Sequence, residues 1–342
     1  MRTSGSIFRM LPVFFLIAAA TLLFSSCKKN AGGEDVPGAG LDHKWNFSIV
    51  KFEELQQTED TERGLRVGLR DAGLVEGRDF EITSMNAHGD IPVLLSLFDK
   101  VAAGNTDLLI SLQTTTLHTA IKRVDNIPIV FMVVANPFVI TTVGQNDTVH
   151  LPNVTGVYTK TTFDRMLGYI KECMPNAKRV GTLFSSLELN ATYYKSQLIA
   201  AAAKHGIEVE AMDVSVKTDV PQAINALCAR KPDAICQIED NLTSATFPVI
   251  AQTAKKYNLP VFSFVNEQAR SGASLVFSPD YYEAAKETAT TISRIMHGTK
   301  TADIPFRRIN KFHLIVNKTN AAAVGLNVPE SVLIQADSVI VK

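Results

Sequence analysis

Three consecutive threonines, Thr114 to Thr116, follow the apolar run LLISL at 108–112 and precede a second apolar run at 128–134, within DLLISLQTTTLHTAIKRVDNIPIVFMVVANP. Runs of strand length on either side of a helical pattern predict strand, helix, strand, which requires a parallel pair joined by a crossover helix. The threonines then sit at the carboxyl edge of a sheet, where α/β folds bind ligands. A helix N-terminus offers unpaired amides and a partial positive charge, and hydroxyls add donors. Thr114, Thr115 and Thr116 could therefore hold a small carboxylate without any basic side chain. The same residues could also serve only as the N-cap and first turn of that helix.

Catalytic chemistry is poorly supplied. HExxH, GxSxG, a P-loop and a strand-linked GxGxxG are absent, and the seven histidines are scattered without metal-ligand spacing. Cys173 and Cys228 could suggest a two-thiol racemase, but neither has an activating neighbour in the sequence around it. The expectation is a binding protein with no cofactor and no metal. The 34 basic and 34 acidic residues balance, so nothing suggests a nucleic-acid surface.

The elements that must position the threonines repeat along the chain. NFSIVKF and EITSM read as strands, TERGLRVGLRDAG and IPVLLSLFDKVAAG as helices closed by Gly73 and Gly104, and the alternation restarts with RVGTLF, EVEAMDV, DAICQI and PVFSF. This predicts an α/β protein of two Rossmann-like lobes with parallel sheets, joined by a multi-crossing hinge around a cleft. The polar stretch 146–153 is the expected first crossing. The expected division is residues 45–155 and 274–304 for lobe 1, and 156–273 and 305–342 for lobe 2.

Before the lobes, Arg2 and Arg9 precede an apolar run at 10–24, too short for a comfortable membrane span and laid out like a secretory signal. It ends in Ser25-Ser26-Cys27, which resembles the bacterial lipobox, with Phe24 where leucine is usual. Residues 1–26 thus read as a lipoprotein signal peptide, Cys27 as the lipidated N-terminus, and 27–44 as a flexible tether rich in Gly and polar residues. Loss of residues 1–26 leaves 32 basic against 34 acidic groups, a formal charge of −2. Cys173, Cys228 and Cys236 read as buried structural thiols, although a disulfide between two of them stays open.

In order along the chain, GLRDAGLVEGRDFEI, NIPIVFMVVANP, NVTGV, MPNAKRVGTLF, IEDN, NLPVFSF, SPDYYEAA and GTKTADIP resemble the TrpX-like substrate-binding proteins of bacterial ABC importers, which have the type I periplasmic-binding fold. The resemblance spans roughly 47–329. It implies a monomeric, lipid-anchored receptor in the cell envelope that captures a small solute, an amino acid with aromatic ones included, and presents it to a permease and its ATPase subunit. The other readings carried forward are a ligand-sensing lipoprotein acting on a separate membrane receptor, and an enzyme on this fold. A fused sensing module would be followed by a transmembrane helix and an output domain, whereas this sequence runs to SVIVK.

The resemblance also carries residues across. The family's threonine falls on Thr114, its aspartate-proline on Asn136 and Pro137, its aspartate-asparagine on Asp240 and Asn241, and its first-loop glutamate on Glu54. Leu55 and Gln56 replace the usual His-Pro, and Val265 replaces a frequent aspartate, so the ligand is left open. For an amino-acid-like ligand, the expected partners are Thr114 to Thr116 for the carboxylate, and Asp240 with help from Glu54 for the ammonium. Asp240 could instead cap the helix after IEDN, and Glu54 could be a solvated loop acid. Phe52, Phe138 and Phe184 could supply an apolar wall, while Tyr281 and Tyr282 are expected to pack in the scaffold.

Overall fold

The computed structural model of the protein describes residues 41–341, so the leader, Cys27 and most of the tether lie outside the described residues. Two sheets organise the chain, as the alternating pattern requires. In the first, strands run in the order Arg307–Arg308, Val154–Tyr158, Ile129–Val134, Leu108–Leu112, Trp45–Lys51 and Phe80–Asn86, all parallel. The second runs Ser338–Ile340, Phe312–Asn317, Leu275–Pro279, Val261–Ser263, Ala234–Gln237, Arg179–Phe184 and Glu208–Asp213. It is parallel except where Phe312–Asn317 pairs antiparallel with Leu275–Pro279. Central strands such as Leu108–Leu112 and Ile129–Val134 are buried at every residue, because helices cover both faces of each sheet. Each lobe accordingly has two apolar cores, one on each side of its sheet.

The crossings fall elsewhere than the local pattern suggests. The stretch 146–153, expected to leave the first lobe, instead takes part in a small hairpin of Gly144–Asn146 and Val149–His150, and the next strand, Val154–Tyr158, still belongs to the first sheet. The chain crosses after Tyr158. It returns after Leu275–Pro279, which lies in the second sheet although 274–304 was assigned to lobe 1. A third crossing follows Arg307–Arg308, an edge strand of the first sheet inside the range assigned to lobe 2. Strand order decides these placements, and strand order is a tertiary property.

Helix Tyr281–Met296 rejoins the first lobe by lying on helix Gln56–Asp71. Their backbones touch at two glycines. A Cβ on Gly64 would stand 2.2 Å from the carbonyl oxygen of Tyr282, and one on Gly68 would stand 2.4 Å from that of Lys286. This contact brings the N-terminal ends of both helices, with Gln57 and Tyr281, to the cleft. Among the described residues, no helix is long and apolar enough to cross a membrane, and no group of three or more His, Cys, Asp or Glu could hold a metal ion. Cys173, Cys228 and Cys236 are free thiols, and burial pushes them up to about 12, 11 and 12.

Candidate functional site

The lobes close on a cavity of about 20 Å³, room for about one water molecule. Its walls are the carboxyl ends of strands and the starts of helices from both sheets, where backbone groups and short side chains converge. From the first lobe come Gln57, Gln113, Thr114, Val133 and Ala135; from the second, Asn190, Tyr194, Glu239, Asp240 and Asn241; Tyr281 enters from a crossing. Among the described residues, no basic side chain lines it.

Gln113 is the N-cap of helix Thr114–Arg123 with φ 78° and ψ 151°, a conformation reached almost only by glycine. Its side chain does not cap. Oε1 accepts from the amides of Phe52 (2.7 Å) and Glu53 (3.1 Å), and Nε2 donates to the Glu53 carbonyl (3.1 Å) and, across the lobes, to Asn241 Oδ1 (2.7 Å). Because Gln113 is occupied in this way, the first turn of the helix has no side-chain cap. The leading amides of Thr114, Thr115 and Thr116 have no intrahelical acceptor. Val133, at the bulge on the neighbouring strand, also has positive φ (58°), unusual for a β-branched residue. Both strained residues line the cavity.

The second lobe answers with three buried carboxyl groups in different roles. Asp240 is the N-cap of helix Asn241–Ala245: Oδ1 accepts from the Thr243 amide and hydroxyl, each at 2.6 Å, and Oδ2 from the Ser185 amide at 3.0 Å. Glu188 accepts from the amides of Asn241 (3.0 Å) and Leu242 (3.1 Å) and from Asn241 Nδ2 (2.6 Å). Together they fill the start of that helix. Glu239 is different: its donors are the Tyr281 hydroxyl (3.1 and 3.2 Å) and, across the lobes, Gln57 Nε2 (3.2 Å). Burial pushes Glu239 up to about 7, against the two hydrogen bonds, which pull it down. Burial raises Glu188 and Asp240 too, and the charge of Asp240 raises Glu188 further.

Asn190, only 8 % exposed, completes this wall. Its Nδ2 lies 3.4 Å from Glu188 Oε2 and 3.5 Å from the Glu239 carbonyl, and the amide is assigned with its nitrogen on these acceptors. Its Oδ1 is buried and has no hydrogen-bond partner among the described residues.

The structure brings Thr114, Asp240 and Asn241 into the cavity wall. Thr115 and Phe52 instead line an adjoining cleft mouth of about 420 Å³, together with Leu187, Val216 and Leu242. A half-exposed ion pair, Lys217 Nζ to Glu53 Oε2 at 2.8 Å, spans that mouth. Thr116 is fully buried with its hydroxyl unpaired, and lines neither space. Glu54 is outside both: it pairs with Lys51 at 2.7 Å, which Glu62 also holds at 2.6 Å. Asn136 caps the turn Pro137–Val139, its Oδ1 accepting from the Phe138 amide. Phe138 packs on Tyr158 and Phe306, and Phe184 lies in the core beneath Lys195. Tyr281, expected to be scaffold, donates to Glu239, while Tyr282 faces Arg63 on the surface. Gln57, Gln113, Asn190, Tyr194 and Glu239 were not anticipated. For Gln113 and Glu239 a signal existed, since Gln113 directly follows strand Leu108–Leu112 and Glu239 lies two residues past strand Ala234–Gln237, at the carboxyl edge of a doubly wound sheet.

Against known proteins, the model of the family described as "ABC transporter substrate binding protein" matches residues 47–340. A relative from Clostridioides difficile named as a tyrosine-binding protein is 24% identical over 322 residues, covering 92% of each chain. A solved structure of a conserved domain protein from Vibrio cholerae superposes with TM-score 0.83 at 27% identity, over 86% of this chain and 99% of that one. An ABC domain from Streptococcus pneumonia solved in complex with L-Trp also superposes with TM-score 0.83, at 23% identity, over 87% of this chain and 100% of that one. These neighbours share the type I periplasmic-binding-protein fold, with its two α/β lobes.

Proposed function

This chain belongs to the ABC transporter substrate binding protein family, and we propose that it captures a small zwitterion, an amino acid, between its lobes outside the cytoplasmic membrane and hands it to a permease. The observation that carries this reading is the pairing of opposite ends across one cavity. Lobe 1 presents the uncapped start of helix Thr114–Arg123, with Thr114 on the cavity and Thr115 at its mouth, and lobe 2 presents Glu239, whose donors among the described residues are neutral groups. The other helix start at the cavity is already filled by Asp240 and Glu188. A ligand carboxylate therefore belongs on lobe 1 and its ammonium at Glu239, so one molecule bridges the lobes through charge-assisted bonds.

The closed cavity is smaller than any amino acid, so the lobes must part to admit one and then reclose less far. Phe52, Leu187, Val216 and Leu242 at the mouth would receive its side chain, in a space of about 420 Å³. The names of two relatives, one tyrosine-binding and one bound to L-Trp, support including aromatic amino acids in the class. Ser25-Ser26-Cys27 supports lipid anchoring at Cys27.

Thermal unfolding with the twenty common L-amino acids, followed by calorimetry on any that shift, tests the ligand class. An amino acid at a hundred times its dissociation constant adds about 2.7 kcal/mol of stability. If none shifts the transition while sugars or nucleosides do, the zwitterion assignment is wrong. In the same preparation, Cys27→Ala should move the protein out of the membrane fraction; retention there would argue against the lipid anchor.

A further inference from the structure

We infer that Asn190 is the residue by which the site counts N–H groups on its cationic ligand, making the pocket selective for protonated primary amines over quaternary ammonium zwitterions such as betaines. This rests on the zwitterion reading above and adds a specificity element to it.

The orphaned Asn190 oxygen is the starting point. A buried acceptor without a donor is costly, on the order of 1–3 kcal/mol, and native proteins rarely keep one without a use. Asn190 sits on the same cavity wall as Glu239, and its amide nitrogen is on the side of two acceptors, which leaves the oxygen as the side chain's unpaired group. The wall therefore shows an incoming cation two acceptors of different kinds, a carboxylate and a neutral amide oxygen. A carboxylate attracts any cation, methylated or not. The amide oxygen contributes little to a cation without N–H, and a trimethylated head would leave it buried and unpaired. A primary ammonium has three N–H donors and satisfies both.

The contrast with an aromatic cage is informative. Quaternary ammonium ions are held chiefly by the faces of aromatic rings. The two rings that line this cavity, Tyr194 and Tyr281, are buried, and the Tyr281 hydroxyl is committed to Glu239. The recognition on offer is hydrogen bonding.

The removal of Asn190 should also be structurally mild. Its two donor contacts are at the long limit, 3.4 and 3.5 Å, and it occupies the second position of helix Leu189–Lys204, where leucine is the better helix former. Asn190→Leu should leave the ligand-free melting temperature unchanged or higher, whereas a residue that held the lobe together would lower it.

The experiment is thermal shift and calorimetry on the parent and Asn190→Leu, using the nineteen common L-amino acids with a primary amine and their N,N,N-trimethyl counterparts as paired probes. The expected result is that the parent binds at least one amino acid and binds its trimethylated partner at least a hundredfold more weakly. Asn190→Leu should lose at least tenfold for the amino acid and narrow that gap. A parent that binds a trimethylated compound as well as its amino acid overturns the assignment while leaving the zwitterion reading standing. So does an Asn190→Leu variant with unchanged affinity and selectivity, or one whose loss of binding is matched by a fall in ligand-free melting temperature. A parent that answers to neither series removes the zwitterion reading, and this inference with it.

Discussion

Glu239 sets two opposing pH dependences in one carboxyl group. In the ligand-free protein burial raises it from about 4.5 to about 7, so the native state favours the protonated form. A raised carboxyl contributes stability that is fully present below about 4.5 and is lost as pH rises through about 7. The shift corresponds to about 3 kcal/mol at most. An ammonium ligand needs the ionised form, so affinity should rise as pH climbs toward 7 and level off above it. Glu239→Gln separates the two effects. The variant should bind an amino acid at least tenfold more weakly at pH 8, a loss of about 1.4 kcal/mol. Without ligand it should melt above the parent at pH 8 and level with it at pH 4.5, Glu188 and Asp240 leaving a residual slope in both proteins. Melting curves and titrations across that range decide it; equal melting temperatures at pH 8 would mean that the carboxyl is not held in a dry site. The sequence motif IEDN contains this residue, yet reading it alone favoured Asp240. Either acid could be the cap or the ligand partner by type, and only the direction of the chain leaving strand Ala234–Gln237 turns Asp240 back onto its own helix.

At the scale of elements, the alternation of strands and helices was legible because both carry local periodicities, and the start of helix Thr114–Arg123 followed from it; that Gln113 rather than Thr114 stands at its N-cap, without a side-chain cap, did not. The crossings were not, because a strand's sheet is chosen by its neighbours in space. The pairing of helix Gln56–Asp71 with helix Tyr281–Met296 was equally hidden: Gly64 and Gly68 lie in an amphipathic pattern that reads well without them. Their role is contact between backbones. Gly68→Ala puts a methyl 2.4 Å from the Lys286 carbonyl oxygen and 2.7 Å from the Ala289 Cβ, so one helix must move. The expected cost is about 1–3 kcal/mol. Because the displaced helix begins with Tyr281, amino-acid affinity should fall as well. Gly168, inside helix Phe163–Cys173, has nothing within 4 Å of an added Cβ. Gly168→Ala should therefore stabilise by about 0.5–1 kcal/mol and leave binding alone. Denaturant midpoints for the two variants, measured side by side, test the backbone contact; two equal shifts would show that the glycines are interchangeable.

For the whole molecule, function depends on how firmly the lobes stay shut without ligand. Several interlobe bonds hold this closed form: Gln113 to Asn241, Gln57 to Glu239, and Lys217 to Glu53. They are unequal. Lys217 is half exposed, and a pair of that kind is worth about 0–1 kcal/mol and weakens in salt. The Gln113 bond is buried, and its backbone is in a glycine-like conformation, so Gln113→Gly removes the side chain while suiting the φ of 78°. Such a change should open the lobes without unfolding either one. A ligand cannot enter a cavity of about 20 Å³, so the open population gates association. Gln113→Gly should consequently speed association. Because the liganded lobes reclose less far, this bond is one that the ligand-free closed form holds and the liganded form does not, so affinity should rise, by about threefold to tenfold for a hydrogen bond worth about 0.5–1.5 kcal/mol. Small-angle scattering should give a larger radius of gyration than the parent without ligand and the same radius with it, since a ligand shifts the equilibrium by its differential affinity for the two forms. Unchanged scattering together with unchanged rates would show that closure does not depend on this side chain, and would turn attention to the Glu239 contacts, where ligand and lobes compete for the same carboxylate.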